Sequence, residues 1–177
     1  MNRTEYDEWY CWGDNFSAVG KPLANSGKMY FILPDENISV DELLVDNELW
    51  SFVNCGGIWS KSKKLKINLS VPKFDVSSTV NLKDGLNFYL RNEVFDMENS
   101  EFPAITSDSP VYVAAVNQSA RVEIDENGVK AAAYIEFPGA GAAQPPEEII
   151  DFVLDRPFVF VISKGNLPLF TGVVNNM

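Results

Sequence analysis

Ala120-Arg121-Val122-Glu123-Ile124-Asp125-Glu126-Asn127-Gly128-Val129-Lys130-Ala131-Ala132-Ala133-Tyr134-Ile135-Glu136-Phe137-Pro138 sets two alternating runs on either side of an Asn-Gly pair. Asn127-Gly128 favours a tight hairpin, because both residues tolerate the positive φ such turns need. Before it, Val122 and Ile124 alternate with Arg121, Glu123 and Asp125. After it, Val129, Ala131, Ala133, Ile135 and Phe137 fall on one face, and Lys130, Ala132, Tyr134, Glu136 and Pro138 on the other. Period-two patterning describes a half-buried strand. The centre of the second arm, however, is Ala131-Ala132-Ala133, which suits a helix better than a strand. That arm runs directly into Pro138-Gly139-Ala140-Gly141-Ala142-Ala143-Gln144-Pro145-Pro146. With no side chain there able to anchor to a core, an exposed, mobile loop is expected. Conflicting local signals are what a segment shows if it must be stable in two places, exposed in one state and inserted as a strand in another. An ordinary hairpin with an alanine patch, or a short helix after the turn, remains open.

Outward from this stretch, short apolar runs separated by Gly, Pro, Asn and Asp predict strands at Trp9 to Trp12, Phe16 to Leu23, Lys28 to Leu33, Leu65 to Val71, Val111 to Val116, Ala120 to Asp125, Phe158 to Ser163 and Leu167 to Val174. Several are apolar on both faces, as buried strands are. Ser39-Val40-Asp41-Glu42 has the form of a capping box. Leu43, Leu44, Leu49, Trp50 and Val53 then supply one helical apolar stripe, ended by Gly56-Gly57. Leu82 to Leu90 is a second, shorter helix candidate. The fold class is α+β, predominantly β.

The chain carries 25 acidic against 14 basic side chains, a formal charge of −11. That excludes a general polyanion binder, nucleic acid included. At 46% hydrophobic and 12% aromatic the chain can fill a sizeable core. Histidine is absent, which removes Ser-His-Asp and Cys-His catalysis and histidine metal sites together. With no nucleophile–base pair in view, the chain is not read as an enzyme. Cys11 and Cys55 have neither metal-ligand nor redox-motif spacing and are expected to pack as small hydrophobes. No metal or cofactor is called for. No run of about 18 apolar residues and no charged-then-apolar leader appear, so neither a membrane span nor a signal peptide is expected. Met1-Asn2-Arg3-Thr4-Glu5-Tyr6 reads as a cut edge rather than a natural domain entrance.

At the central segment the sequence resembles the serpins. Glu126-Asn127-Gly128-Val129-Lys130-Ala131-Ala132-Ala133 is similar to the hinge at the base of the serpin reactive loop. Phe152-Val153-Leu154-Asp155-Arg156-Pro157-Phe158-Val159-Phe160-Val161-Ile162 resembles the family's carboxy-terminal signature. Phe31-Ile32-Leu33-Pro34-Asp35-Glu36 and Leu69-Ser70-Val71-Pro72-Lys73-Phe74-Asp75-Val76 agree in order and spacing. The resemblance implies that residues 1–177 are the carboxy-terminal portion of a single serpin domain. Hinge and reactive loop fall at 126–147, and the fold consists of mixed β-sheets with a few short helices, lacking the amino-terminal helical half. It implies a suicide inhibitor of serine or cysteine proteases. The loop is cut as bait, and its amino-terminal side, Val129 through Ile135 and Phe137, inserts into the main sheet while the protease is held as an acyl-enzyme.

Counting on from Glu126 by the family's usual spacing places the bait bond at Ala142-Ala143. An alanine there suits a small, shallow primary pocket, elastase-like or subtilisin-like, rather than a trypsin-like one. The sequence departs from the family at Val129, where Thr or Ser is frequent, and at Tyr134, Ile135 and Glu136, which are bulkier or more charged than the residues of strong inhibitors. Slow insertion lets the protease escape, so these residues favour substrate-like behaviour. The missing half would hold most of the helices and the first three strands of the main sheet, including one neighbour of the inserting strand. Either the chain is a fragment or a truncated gene product, or its other half arrives as a second chain. The alternative is a non-inhibitory or truncated serpin-like protein acting as a protease substrate or interaction module. Extracellular localisation is carried over from the family.

Lys61, Lys63, Lys64 and Lys66 suggest a glycosaminoglycan site, but alternation with Leu65 and Ile67 reads as the solvent face of a strand. Trp9, Tyr10 and Trp12 allow a sugar-binding shelf, the basis of a third and remote reading as a carbohydrate-binding module. An aromatic cluster in a β-rich chain is more often core. Five Asn-X-Ser/Thr triplets, at Asn2, Asn15, Asn37, Asn68 and Asn117, do not by themselves establish glycosylation.

Overall fold

The computed structural model describes residues 2–23, 26–55, 58–89, 94–96, 98, 111–125, 128–129 and 148–175. The elements are β1 (Asn2–Trp12), β2 (Phe16–Pro22), β3 (Gly27–Pro34), α1 (Val40–Leu44), α2 (Asn47–Val53), β4 (Ser62–Ser70), β5 (Phe74–Asn81), α3 (Lys83–Tyr89), β6 (Asn117–Asp125), β7 (Gly128–Val129), β8 (Ile149–Val153), β9 (Phe158–Lys164) and β10 (Leu167–Val174). A seven-stranded sheet runs β10-β9-β3-β2-β1-β4-β8, and a three-stranded sheet runs β5-β6-β7. Residues divide into one compact unit of Met1–Val76 with Val122–Met177 and another of Ser77–Arg121.

The large sheet is buried on both faces at its centre. Met29, Phe31 and Leu33 of β3 share one cluster with Phe158, Phe160 and Ile162 of β9. The intervening Tyr30, Ile32, Val159 and Val161 share the opposite cluster. Strands covered on both sides read as continuous apolar runs, the form Met29 to Leu33 and Phe158 to Ile162 take. Each such side chain contributes about 1.5–3 kcal/mol on burial.

The second cluster is covered by Val40, Leu43, Leu49, Phe52 and Val53. Ser39 caps α1 as the sequence predicts: its hydroxyl accepts from the Glu42 amide at 3.2 Å, and the Glu42 carboxylate accepts from the Ser39 amide at 2.8 Å. The single helix expected here is two. Asp46 interrupts it by capping a fresh start, its carboxylate accepting from the Glu48 amide at 2.8 Å and from Asn15 Nδ2 at 2.9 Å. An Asp that can cap competes with helix continuation, and a partner in the β1–β2 connection decides the contest. Lys61 completes the clasp, reaching Asp14 at 2.6 Å and Glu48 at 2.7 Å.

The strand expected at Val111 to Val116 does not form; β6 begins only at Asn117. Its alternating valines mimic a strand, but the backbone bonds go elsewhere. The Val113 amide donates to the Val94 carbonyl at 2.9 Å, and the Val116 carbonyl accepts from the Leu82 amide at 2.8 Å. Strands β5 and β8 were not anticipated: one is mostly polar and exposed, the other short. The second helix candidate forms as α3, with the Lys83 amide donating to Asn81 Oδ1 at 2.9 Å.

Trp9 and Trp12 are not core, at 48% and 38% exposure. They lie on opposite faces of β1: Trp12 stacks on Tyr10, and Trp9 lies under the Lys64 ammonium. That removes the sugar shelf as one surface. Lys64 and Lys66 project opposite the buried Leu65 and Ile67, as alternation predicts, and Lys63 is ion-paired with Glu148.

The parallel pairing of β8 with β4 ties the carboxy-terminal strands to the rim of the large sheet. Ile67 lies opposite Ile150 and Leu69 opposite Phe152, so Phe152 enters the first cluster at 2% exposure. The Lys63–Glu148 pair at its start is half exposed on both sides. Phe152→Ala should therefore cost about 3–5 kcal/mol, and Lys63→Ala under about 1 kcal/mol; urea midpoints compare the two. The helix caps predict a pH dependence. Backbone and hydroxyl bonds from Ser39 lower the Glu42 carboxyl, and Asn15 with the Glu48 amide lowers that of Asp46. Depressed acids stabilise the fold above their unfolded values and lose that contribution as pH falls through the folded ones. The urea midpoint should decline on the acid side, with a shallower slope in the Glu42→Gln/Asp46→Asn variant.

Candidate functional site

The hinge candidate starts at the end of β6. Ile124 lies opposite Val129, and Asp125 opposite Gly128, in an antiparallel pairing that spans residues 126 and 127. Gly128 and Val129 are thus strand at the base of the segment. Val122 and Ile124, at 8% and 2% exposure, anchor this end in the first cluster. The other sequence-predicted site residues, Glu126, Asn127, Lys130, Ala131, Ala132, Ala133, Ile135, Phe137, Ala142 and Ala143, lie outside the described residues.

At the downstream end the chain re-emerges at Glu148. Its carbonyl accepts from the Lys66 amide at 3.2 Å, and its carboxylate meets Lys63. Through β8, Asn68 Nδ2 donates to Asp151 at 2.7 Å and the Leu154 amide donates to the Ser70 carbonyl at 3.0 Å. Beyond it, the Arg156 guanidinium donates twice to the Pro34 carbonyl, from Nε at 3.2 Å and Nη2 at 2.9 Å. This clamps the β8–β9 link to the end of β3. Beside it, burial pushes the Asp35 carboxyl up while Arg156 pulls it down.

Residues 130–147 therefore span from a strand of the three-stranded sheet to a strand of the large one. The roles of Lys63, Glu148 and Arg156 in fastening the downstream end escaped sequence reasoning. The one usable signal was the acidic pair Glu147-Glu148 followed by the β-branched Ile149-Ile150. Cys11 offers no nucleophile, since burial, with Cys55 nearby, raises its thiol to about 11. Tyr30 is pushed up to about 12 for the same reasons. Both cysteines are free thiols. Among the described residues no group of three His, Cys, Asp or Glu could hold a metal ion, and no helix is long and apolar enough to cross a membrane.

A family model described as serpin (serine protease inhibitor) matches residues 1–177. Among curated proteins, the glia-derived nexin of Rattus norvegicus is 31% identical over 112 residues, 62% of this chain and 27% of its own. Serpin B7 of Homo sapiens is 26% identical over 150 residues, 83% of this chain and 37% of its own. Among solved structures, native Tengpin, a thermophilic serpin, superposes with a TM-score of 0.76 at 26% identity, covering 99% of this chain and 46% of that one. The chain thus spans less than half the length of the relatives it matches. Its fold is that of a serpin without the amino-terminal helical half, and the chain belongs to the serpin family.

Proposed function

We propose that residues 126–147 are the hinge and reactive loop of a suicide inhibitor of serine proteases, with Ala142-Ala143 as the bond offered for cleavage. Support comes from one observation above the rest: the β6–β7 pairing starts, at the base of the segment, the ladder that an inserting strand would continue. Extending that register by counting sets Lys130 opposite Glu123, Ala131 opposite Val122 and Ala133 opposite Ala120. Residues directly opposite share a face, so Val129, Ala131 and Ala133 follow the buried Val122 and Ile124 inward. The alternation carries Ile135 and Phe137 to the same side. In the inserted strand Lys130 would lie opposite Glu123, an opposite-charge pair worth a further ~0.2–1 kcal/mol. Small side chains suit a strand that must enter between existing neighbours, while Tyr134, Ile135 and Glu136 slow its entry.

An alanine before the cut selects elastase-like or subtilisin-like proteases, which act outside cells, and the protein is read as extracellular. A cysteine protease with a small primary pocket is a second target class. Inhibition needs the neighbour strand that a serpin's amino-terminal half carries. Without that half, the loop is a protease substrate and the chain an interaction module.

The test is incubation with an elastase-like protease, alone and with an amino-terminal serpin half supplied as a second chain. A complex that survives denaturing electrophoresis is expected for the pair. Clean cleavage near residue 142 with undiminished protease activity in both arms would overturn inhibition. In the pair, Ala142→Arg should redirect capture toward trypsin-like enzymes. Ala131→Arg, facing the core, should convert capture to turnover, whereas Ala132→Ser on the other face should not.

A further inference from the structure

Of the five glycosylation triplets, that of Asn2 has its side chains outside the described residues, and the other four are not equivalent once folded. The Asn15 amide nitrogen donates to Asp46 at 2.9 Å, within the clasp that splits the helix. The Asn68 amide nitrogen donates to Asp151 at 2.7 Å, between β4 and β8. Carbohydrate on either nitrogen would replace one of its two N–H groups and set a bulky sugar against the carboxylate that accepts from it. Asn117 is exposed but opens strand β6, and its triplet's Ser119 hydroxyl is bonded to Thr79 at 2.9 Å. Asn37 stands apart. It lies exposed at the turn between β3 and α1, with φ at 74°, and among the described residues no hydrogen bond uses its side-chain amide. Asn is among the few residues that adopt this left-handed conformation readily. The turn is closed from beneath by the Ile38 amide donating to the Asp35 carbonyl at 3.1 Å, leaving the Asn37 side chain clear.

We propose that Asn37 is an N-glycan acceptor compatible with the folded chain when the protein passes through a secretory pathway, and that Asn15 and Asn68 are not. The donor class is a lipid-pyrophosphate-linked oligosaccharide. Asn37 Nδ2 bonds to the anomeric carbon, the anomeric carbon–oxygen bond breaks, and the amide proton leaves with the lipid pyrophosphate. Ser39 completes the triplet and, after folding, caps α1. The same hydroxyl therefore serves transfer before folding and the helix afterwards. This inference rests on the extracellular reading, and the test separates the two.

The chain is expressed in cultured eukaryotic cells with and without a fused secretion leader. Leaderless chain that stays inside the cell counts against the extracellular reading only. With the leader, glycosidase release in heavy-oxygen water marks each occupied Asn as labelled Asp. The tryptic peptide Met29–Lys61 contains Asn37 as its only triplet. Label is expected there in exported material and absent at Asn15 and Asn68. Asn37→Gln should remove one glycan's mass, and Ser39→Thr should retain it. A bare Asn37 in exported or retained chain, or export of chain labelled at Asn15 or Asn68, would overturn the proposal.

Discussion

Phe31 lies opposite Phe160 and Ile32 opposite Val159, and through that register strands separated by most of the chain become neighbours at the middle of the large sheet. Both strands are apolar on both faces, so a one-residue slip of β9 against β3 would turn Phe160 toward the helices and Val159 toward the other side while Phe31 and Ile32 stayed in place. The two faces are not interchangeable. One sets the ring of Phe74 against those of Phe158 and Phe160, and the other admits α1 and α2 over Val159 and Val161. Volume as well as polarity therefore sets the pairing. The closure is strongly non-local, which makes this sheet a slow one to assemble.

Everything proposed for the loop depends on that closure. The loop's downstream anchor runs through β8 and the Arg156 clamp into β9, and its upstream anchor runs through Val122 and Ile124 into the same apolar cluster. The exposed charge pair at Glu148 contributes little to holding it. Buried Phe152 and the ladder bonds of β8 do most of that.

Where the chain is buried on both sides or carries its own punctuation, it was readable in advance. The runs at β2, β3 and β9 and the capping box at Ser39 belong to this class. Where an outcome depended on a distant partner, local reading failed. Asp46 splits a helix because Asn15 reaches it, and nothing within the helix announces that. Val111 to Val116 has strand-like chemistry but finds turn partners. Trp9 and Trp12 looked like core because tryptophan usually is, yet they stand at opposite faces of a strand near the sheet's rim. At Ala131 to Ala133 the alanines argue against the strand that the alternation describes, so the hinge reading rests on the family resemblance. The downstream anchor went unseen because Lys63 and Glu148 are far apart in sequence and their pairing requires the parallel register of β8.

That parallel register has a bearing on what a break in the loop would leave behind. The residues after the loop supply β8 at one rim of the large sheet, β9 within it and β10 at the other rim, and the residues before the loop supply everything between. The two pieces are interleaved like fingers of clasped hands. A cut anywhere from 130 to 147 would make two polypeptides whose strands still alternate in one sheet, so the severed molecule should hold together as one particle.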